Sequence, residues 1–199
     1  MRTLIARAVN IILPPESEWP EIARESASWL AVFWRYLTPP ALISPLANGG
    51  RVLLGGDGSF RAFVDGDGAL RHALLSAIGG FVVSPLSVMV MALVIWLVAP
   101  WFAGRRSFGD GFRVITYAGT PLWLAGFILI APLSRFPLLV TIILIAIMQS
   151  LFLCYVGLYY VMNVPRRDAA ECTAVVMAAS FMLSSVVGNY AAAGLFPHR

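Results

Sequence analysis

Residues 138–162 read LLVTIILIAIMQSLFLCYVGLYYVM and contain no charged side chain. A helix needs about 20 consecutive apolar residues to cross the hydrocarbon core of a bilayer, so this stretch alone predicts a membrane-spanning helix. Four further apolar stretches predict spans at about residues 29–50, 73–103, 114–133 and 169–195. The predicted fold class is therefore an all-α, polytopic membrane helix bundle with five spans.

The composition of the whole chain points the same way. Of the 199 residues, 59% are hydrophobic and 12% are charged, and the mean hydropathy is +0.82. A soluble domain is about 25% charged, so this chain has too few charges to cover a water-facing surface of its size. These values exclude a soluble enzyme, a disordered tail and a disulfide-stapled secreted domain. All basic residues are Arg, placed singly or in pairs without a basic stripe, and we predict no nucleic-acid partner.

Residues 1–28 precede the first apolar stretch and predict two short helices at the cytoplasmic surface. The first covers residues 3–12 and has an apolar arc opposite Arg7 and Asn10. This pattern is typical of an amphipathic helix that lies in the membrane interface.

The second short helix is predicted from about residue 18 to residue 28, with Ser17 as its N-cap. Trp19 and Ile22 are expected to face lipid or the bundle. Three charged residues are expected to face water, namely Glu21, Arg24 and Glu25.

The distribution of arginines bears on topology. Counting them on each side does not choose between five spans and a four-span alternative in which residues 29–50 fail to cross. Both place the pairs Arg105-Arg106 and Arg166-Arg167 on one side. Only five spans put these pairs on the same side as the acidic residues of the N-terminal segment, where opposite charges could pair. We therefore expect five spans, with the N-terminus in the cytoplasm.

Four short motifs, in order along the chain, resemble the bacterial branch of the Ypt-interacting-protein (Yip) domain family. They are ILPPESEWPEIARE at residues 12–25, YLTPPALI at 36–43, YAGTPLW at 117–123 and YVGLYYVMNVPRRDA at 155–169. The resemblance covers about residues 12–195. It implies a five-span bundle of the bacterial inner membrane with a cytoplasmic N-terminus and a periplasmic C-terminus.

Three groups of residues are candidates for function. The first is a ladder of small residues that lets helices approach closely, formed by Ser180, Ser184, Gly188 and Ala192. The second is the predicted cytoplasmic face, formed by Trp19, Ile22, Glu25, Arg105, Arg106, Arg166 and Arg167. The third contains polar residues within predicted spans, namely Arg35, Gln149 and Asn189. For Arg35, one interpretation is a side chain that reaches the headgroups, and the other is burial against carbonyls freed by prolines 39 and 40.

No set of residues indicates catalysis, and we predict a non-enzymatic protein without a cofactor or a metal. The histidines His72 and His198 lie at span ends, and no HExxH motif is present. The favoured function is a membrane scaffold or accessory protein, or a subunit of a larger membrane complex. Its expected partners are the lipid bilayer and other membrane proteins or further copies of the chain. The alternative is a small-solute or ion transporter or channel, although proton-coupled carriers usually place acids inside the membrane and the predicted spans contain none mid-span.

Overall fold

The computed structural model describes residues 4–25, 28–42, 68–128 and 136–195, and within these ranges the chain is helical without a strand. Residues 43–67, which contain most of the glycine-rich connection after the first apolar stretch, lie outside the described residues.

The N-terminal part begins with two short helices and a third that changes its winding. These elements are α1 (Leu4–Ile12), α2 (Pro15–Arg24) and α3 (Trp29–Val32), and α3 continues as a π-helix over Phe33–Leu37. Ser28 is the N-cap of α3, because its side chain accepts a hydrogen bond from the backbone N–H of Ala31. The π-helical turn ends at Leu37, two residues before Pro39 and Pro40, which have no N–H for an α-helical bond.

Five further helices follow in the described residues. They are α4 (Gly68–Val98), α5 (Phe108–Ala118), α6 (Thr120–Ile128), α7 (Phe136–Tyr160) and α8 (Ala169–Leu195). A 3₁₀ turn over Ala99–Phe102 extends α4 and ends at Ala103, whose φ of 56° is left-handed, a conformation common just beyond helix ends. Ser107 is the N-cap of α5, since its side chain accepts a hydrogen bond from Asp110 N–H.

The long helices pack side by side around one apolar core. Helix α4 packs along α5 and α8, and α7 contacts α5, α6 and α8. Ile95, Phe112 and Leu158 lie in this core and are fully buried. Helix α2 also packs on α7, and α1 contacts both α6 and α7, so the N-terminal helices are part of the bundle.

Two described helices are long and apolar enough to cross a membrane. They cover Phe81–Phe102 and Val140–Tyr160. Apolar side chains also lie on the outer surface, where Met148 and Phe181 are 71% and 74% exposed. In a membrane protein such side chains face lipid, whereas a water-soluble bundle would cover them.

Three sequence-based expectations about local structure are corrected. The stretch 114–133 is not one uninterrupted helix, because α5 ends at Ala118 and α6 begins at Thr120. Pro121 follows this break, and a proline cannot supply the backbone N–H that an uninterrupted helix would use. Helix α2 begins at Pro15 and ends at Arg24, and Ser17 is not its N-cap but donates its hydroxyl to Pro14 O.

Helix α1 requires the third correction, because its predicted polar face packs against protein as well as its apolar face. Ile11, from its predicted apolar arc, is fully buried in the bundle core. Arg7, predicted to face away from the apolar arc, is also largely covered and lies against α5. The helical wheel correctly separated the apolar face from the polar face of α1. However, residues of both faces pack against other helices of the protein.

Candidate functional site

The junction between the N-terminal helices and the long helices centres on Trp19. This side chain is 0% exposed and its ring meets that of Tyr117 edge-on, with centroids 6.5 Å apart. It also lies directly over Gly157 of α7. A Cβ at residue 157 would lie 2.6 Å from Trp19 Cη2 and 3.0 Å from Val114 Cγ1, closer than van der Waals contact permits. Glycine at position 157 therefore creates the space that the indole fills.

Two isoleucines and one glutamine extend the junction on either side of Trp19. Ile11 and Ile22 are fully buried, and full burial of such a side chain stabilises by about 1.5–3 kcal/mol. Gln149, in the middle of α7, donates its Nε2 to the carbonyl of Ile12 at 3.2 Å. This bond satisfies one of the carbonyls that the end of α1 leaves without a helical partner.

A charged cluster, which we call the Arg7 cluster, lies beside Trp19 and joins α1 to α2. Its members are Arg7, Asn10, Glu18 and Glu25. Arg7 Nη2 lies 2.6 Å from Glu25 Oε1, and Arg7 Nε lies 3.9 Å from Glu18 Oε1. Asn10 donates to Glu18 Oε2 at 3.5 Å. Glu18 is only 3% exposed, so the N-terminal helices bring a carboxylate into an otherwise apolar bundle.

The electrostatics of the cluster keep Arg7 charged. Burial alone would lower the pKa of Arg7, but the hydrogen bond to Glu25 and the neighbouring carboxylate of Glu18 outweigh burial and raise that pKa. The guanidinium also lies over the Tyr117 ring, with Cζ 5.0 Å from the centroid, a favourable cation–π geometry. Arg7 thus links α1 to α2 through charge and to α5 through an aromatic face.

Helices α2, α3 and α5 are tied together near the cluster. Arg113 donates to the backbone carbonyl of Glu25 at 2.8 Å and pairs with Asp110 at 3.4 Å. Thr120 donates its hydroxyl to Tyr117 O at 2.7 Å, so the 2.8 Å bond between Tyr36 and Thr120 has the Tyr36 hydroxyl as donor. The Tyr36 and Tyr117 rings lie 4.6 Å apart.

The four arginines of the predicted cytoplasmic face lie in two loops that meet. Arg105 N–H donates to Met162 O at 2.6 Å, which joins the loop after α4 to the loop after α7. We call this end of the bundle the loop end. All four arginine side chains there are exposed, namely Arg105, Arg106, Arg166 and Arg167.

The pairing expected between these arginines and the N-terminal acids is largely replaced by other contacts. Glu25 and Glu18 pair with Arg7 of α1, whereas Arg105 and Arg167 pair with Asp110 and Asp168. Glu16 does act on a loop arginine, through its charge on Arg166. The reason is geometric, because α1 lies within the bundle and brings its own arginine to the acids of α2.

A family model, the Yip1 domain, matches residues 9–188. The chain belongs to the Yip1 domain family. The matched region begins within α1 and includes the other helices of the junction, and it confirms the resemblance to the Yip domain family noted from the sequence motifs. The Yip1 domain family is a membrane protein family that is not known as enzymatic, and this chain is a membrane protein. No significant match was found among curated proteins or solved structures.

The remaining candidate residues of this Yip1 domain, Arg35 and the small-residue ladder, are not part of the junction around Trp19. Arg35 is exposed on the π-helical turn, so the alternative in which it is buried against freed carbonyls is wrong. Ser180 is fully buried and its hydroxyl has no hydrogen-bond partner within the described part of the structure. The side chains of the remaining ladder residues and of one polar candidate lie outside the described residues, namely Ser184, Gly188, Ala192 and Asn189. Their proposed roles stay predictions.

The described residues contain no group of three or more His, Cys, Asp or Glu side chains placed to hold a metal ion. Cys154 and Cys172 are free thiols, both buried. Sequence reasoning missed Arg7 and Gly157 as junction residues. A glycine in mid-helix costs about 1 kcal/mol relative to alanine, and this local disadvantage was the available signal that residue 157 has a packing role.

Proposed function

We propose that this Yip1 domain protein is a non-enzymatic, multi-pass scaffold or accessory subunit of the bacterial inner membrane. In this proposal the N-terminal helices cover the cytoplasmic end of the bundle and the chain acts by holding other membrane proteins, or further copies of itself, through its helices. The observation that carries the proposal is the insertion of Trp19 over Gly157. A rigid side chain thus fills the space between α2, α5 and α7, which favours a structural role of the N-terminal helices over an opening for a solute.

The relative strengths of the junction contacts support a permanent structural role for the N-terminal helices. Ile11 and Ile22 each contribute about 1.5–3 kcal/mol by burial. The pair formed by Arg7 and Glu25 has side chains that are 19% and 36% exposed, and ion pairs with such access to solvent contribute about 0–1 kcal/mol. Apolar burial therefore provides most of the docking energy, and the charges set the register of α1 on α2.

The alternative function is transport of a small solute or an ion. The Arg7 cluster favours it to a limited extent, because it places a carboxylate of Glu18 at 3% exposure among helices, as carriers often do. However, Glu18 is contacted by Arg7 and Asn10, so its charge is already compensated by the protein. Scaffolding accounts for this compensation more simply than ion binding does.

The proposed function is tested by reconstitution and by mass measurement. Purified protein in liposomes is expected to give no flux of potassium, sodium or protons above that of protein-free liposomes. The protein extracted in mild detergent is expected to have a defined mass larger than that of a 21.6 kDa monomer, after correction for bound detergent. Saturable flux from a strictly monomeric protein would contradict the scaffold and support the transporter.

The proposed topology gives a separate prediction. Reporter fusions at Gly111 and Arg167 are expected to report the cytoplasm, and fusions at Gly66 and Arg199 the outside. Gly111 follows the first of the joined loops at the loop end, and Arg167 lies in the second, which supports a common side for them. The last two lie outside the described residues. A fusion at Gly66 that reports the cytoplasm would eliminate the five-span topology and favour four spans.

A further inference from the structure

The loop end carries a cluster of exposed arginines on a rigid base. Besides the 2.6 Å bond from Arg105 N to Met162 O, the two loops touch at Gly104, where a Cβ would lie 2.7 Å from Val164 Cγ2. The side chains of Arg105 and Arg167 are 59% and 86% exposed. Because the backbones are fixed against each other, the arginines of both loops form one continuous surface.

Two of these arginines rest on aromatic rings. The Arg106 Cζ lies 4.5 Å from the centroid of Trp96, and the Arg166 Cζ lies 5.7 Å from the centroid of Tyr159. Stacking uses the flat face of a guanidinium and leaves the N–H groups at its edge available. The rings therefore orient both side chains without consuming most of their hydrogen-bond donors.

The neighbouring acids neutralise some of the positive charges on this surface and leave others without an opposite charge. Asp110 pairs with Arg105 at 3.9 Å, and Asp168 with Arg167 at 3.3 Å. Within the described residues Arg106 forms no ion pair. The pKa of Arg166 is raised mainly by the Tyr155 side chain, with a weaker contribution from the charge of Glu16. Arg106 and Arg166 are thus the two arginines of this surface best able to bind an anion from outside the protein.

The surface also lies at the depth of lipid headgroups. The candidate spans Phe81–Phe102 and Val140–Tyr160 both end where the two loops begin. Trp101, in the last turn before the first loop, is 79% exposed, and exposed tryptophans at span ends settle at the boundary between acyl chains and headgroups. Guanidinium groups just beyond that boundary are at the level of the phosphates.

We propose that the loop end binds the headgroup phosphate of an anionic phospholipid, with Arg106 and Arg166 as its principal ligands. A guanidinium forms paired, charge-assisted hydrogen bonds with phosphate oxygens. An anionic headgroup suits this surface better than a zwitterionic one, because it adds no cation beside the arginines. The proposal depends only on the loops, and it stands whether or not the protein is a scaffold.

The test compares phosphatidylglycerol with phosphatidylcholine as probes. The purified full-length protein is given both lipids in equal amounts in mild detergent, and native mass spectrometry measures the ratio retained. The wild type is expected to favour phosphatidylglycerol, and Arg106→Gln and Arg166→Gln are each expected to lower that preference by about fivefold. Arg35→Gln removes one exposed arginine from α3 and is the matched control, expected to leave the ratio unchanged.

Three results would overturn the proposal. The first is equal retention of both lipids by the wild type. The second is a loss of preference in Arg35→Gln as large as in Arg106→Gln, which would show attraction to overall charge without a site. The third is displacement of phosphatidylglycerol by an equal concentration of soluble glycerol phosphate, which would identify a free phosphate as the ligand. Melting temperatures in phosphatidylcholine alone, expected to be equal for all variants, establish that each variant is folded.

Discussion

Trp19→Ala is expected to lower the free energy of unfolding by about 3–5 kcal/mol, the usual cost of removing a fully buried large aromatic side chain. The indole is 0% exposed and packs on Tyr117 and Gly157, so the truncation leaves a cavity between α2, α5 and α7. Unfolding by sodium dodecyl sulfate in a mild detergent measures this change. We also expect the variant to be cut by trypsin at Arg24 much faster than the wild type.

Two further substitutions control this experiment. Trp101→Ala removes the same side chain from a position that is 79% exposed and is expected to change the free energy of unfolding by about 0.5 kcal/mol or less. Trp19→Phe keeps most of the ring, and Trp19 Nε1 has no hydrogen-bond partner among the described residues, so Phe loses volume but no such bond. A Trp19→Ala variant as stable as Trp101→Ala would refute the docking of α2.

Gly157→Ala is expected to destabilise the protein by about 1–3 kcal/mol, the range for overpacking a filled core. The added Cβ would lie 2.6 Å from Trp19 Cη2 and 2.7 Å from Trp19 Cζ3, and a buried indole cannot easily move away. This loss would occur although alanine is favoured over glycine in a helix by about 1 kcal/mol. Thermal unfolding in detergent measures the change.

Gly109→Ala is the matched control, because Gly109 also lies within a helix and a new Cβ there would lie no closer than 3.9 Å to its neighbour Trp29 Cβ. It is expected to be neutral or stabilising. The double variant Gly157→Ala with Trp19→Phe is expected to lose less stability than the sum of the two single changes, since the shorter ring relieves the contact. Strict additivity would show that residue 157 and residue 19 do not touch.

The sequence predicted the long helices well, because an uncharged apolar run needs no tertiary information to be read as a membrane helix. Helix α8 covers Ala169–Leu195, the bounds of its apolar stretch, and α7 covers Phe136–Tyr160 where residues 138–162 were predicted. The break before Thr120 was missed. Hydrophobicity is nearly constant across it, and only the proline at 121 marked the place.

The junction was only partly predictable for a different reason. Trp19 and Ile22 stood out as large apolar residues in a charged segment, and both are fully buried. Arg7 was assigned to water because a helical wheel shows which residues share a face and does not show what covers that face. Gly157 acquires its role from a tryptophan 138 positions earlier in the chain, and periodicity within one helix carries no information on such a contact.

Hydrogen–deuterium exchange of the protein in lipid nanodiscs tests most directly whether the N-terminal helices are an integral part of the bundle. The account predicts that amides of α1 and α2 around Ile11, Trp19 and Ile22 are protected to a degree comparable with α5, and that Trp19→Ala removes this protection while Trp101→Ala does not. Exchange of these amides in the wild type as fast as in an unfolded peptide would contradict it.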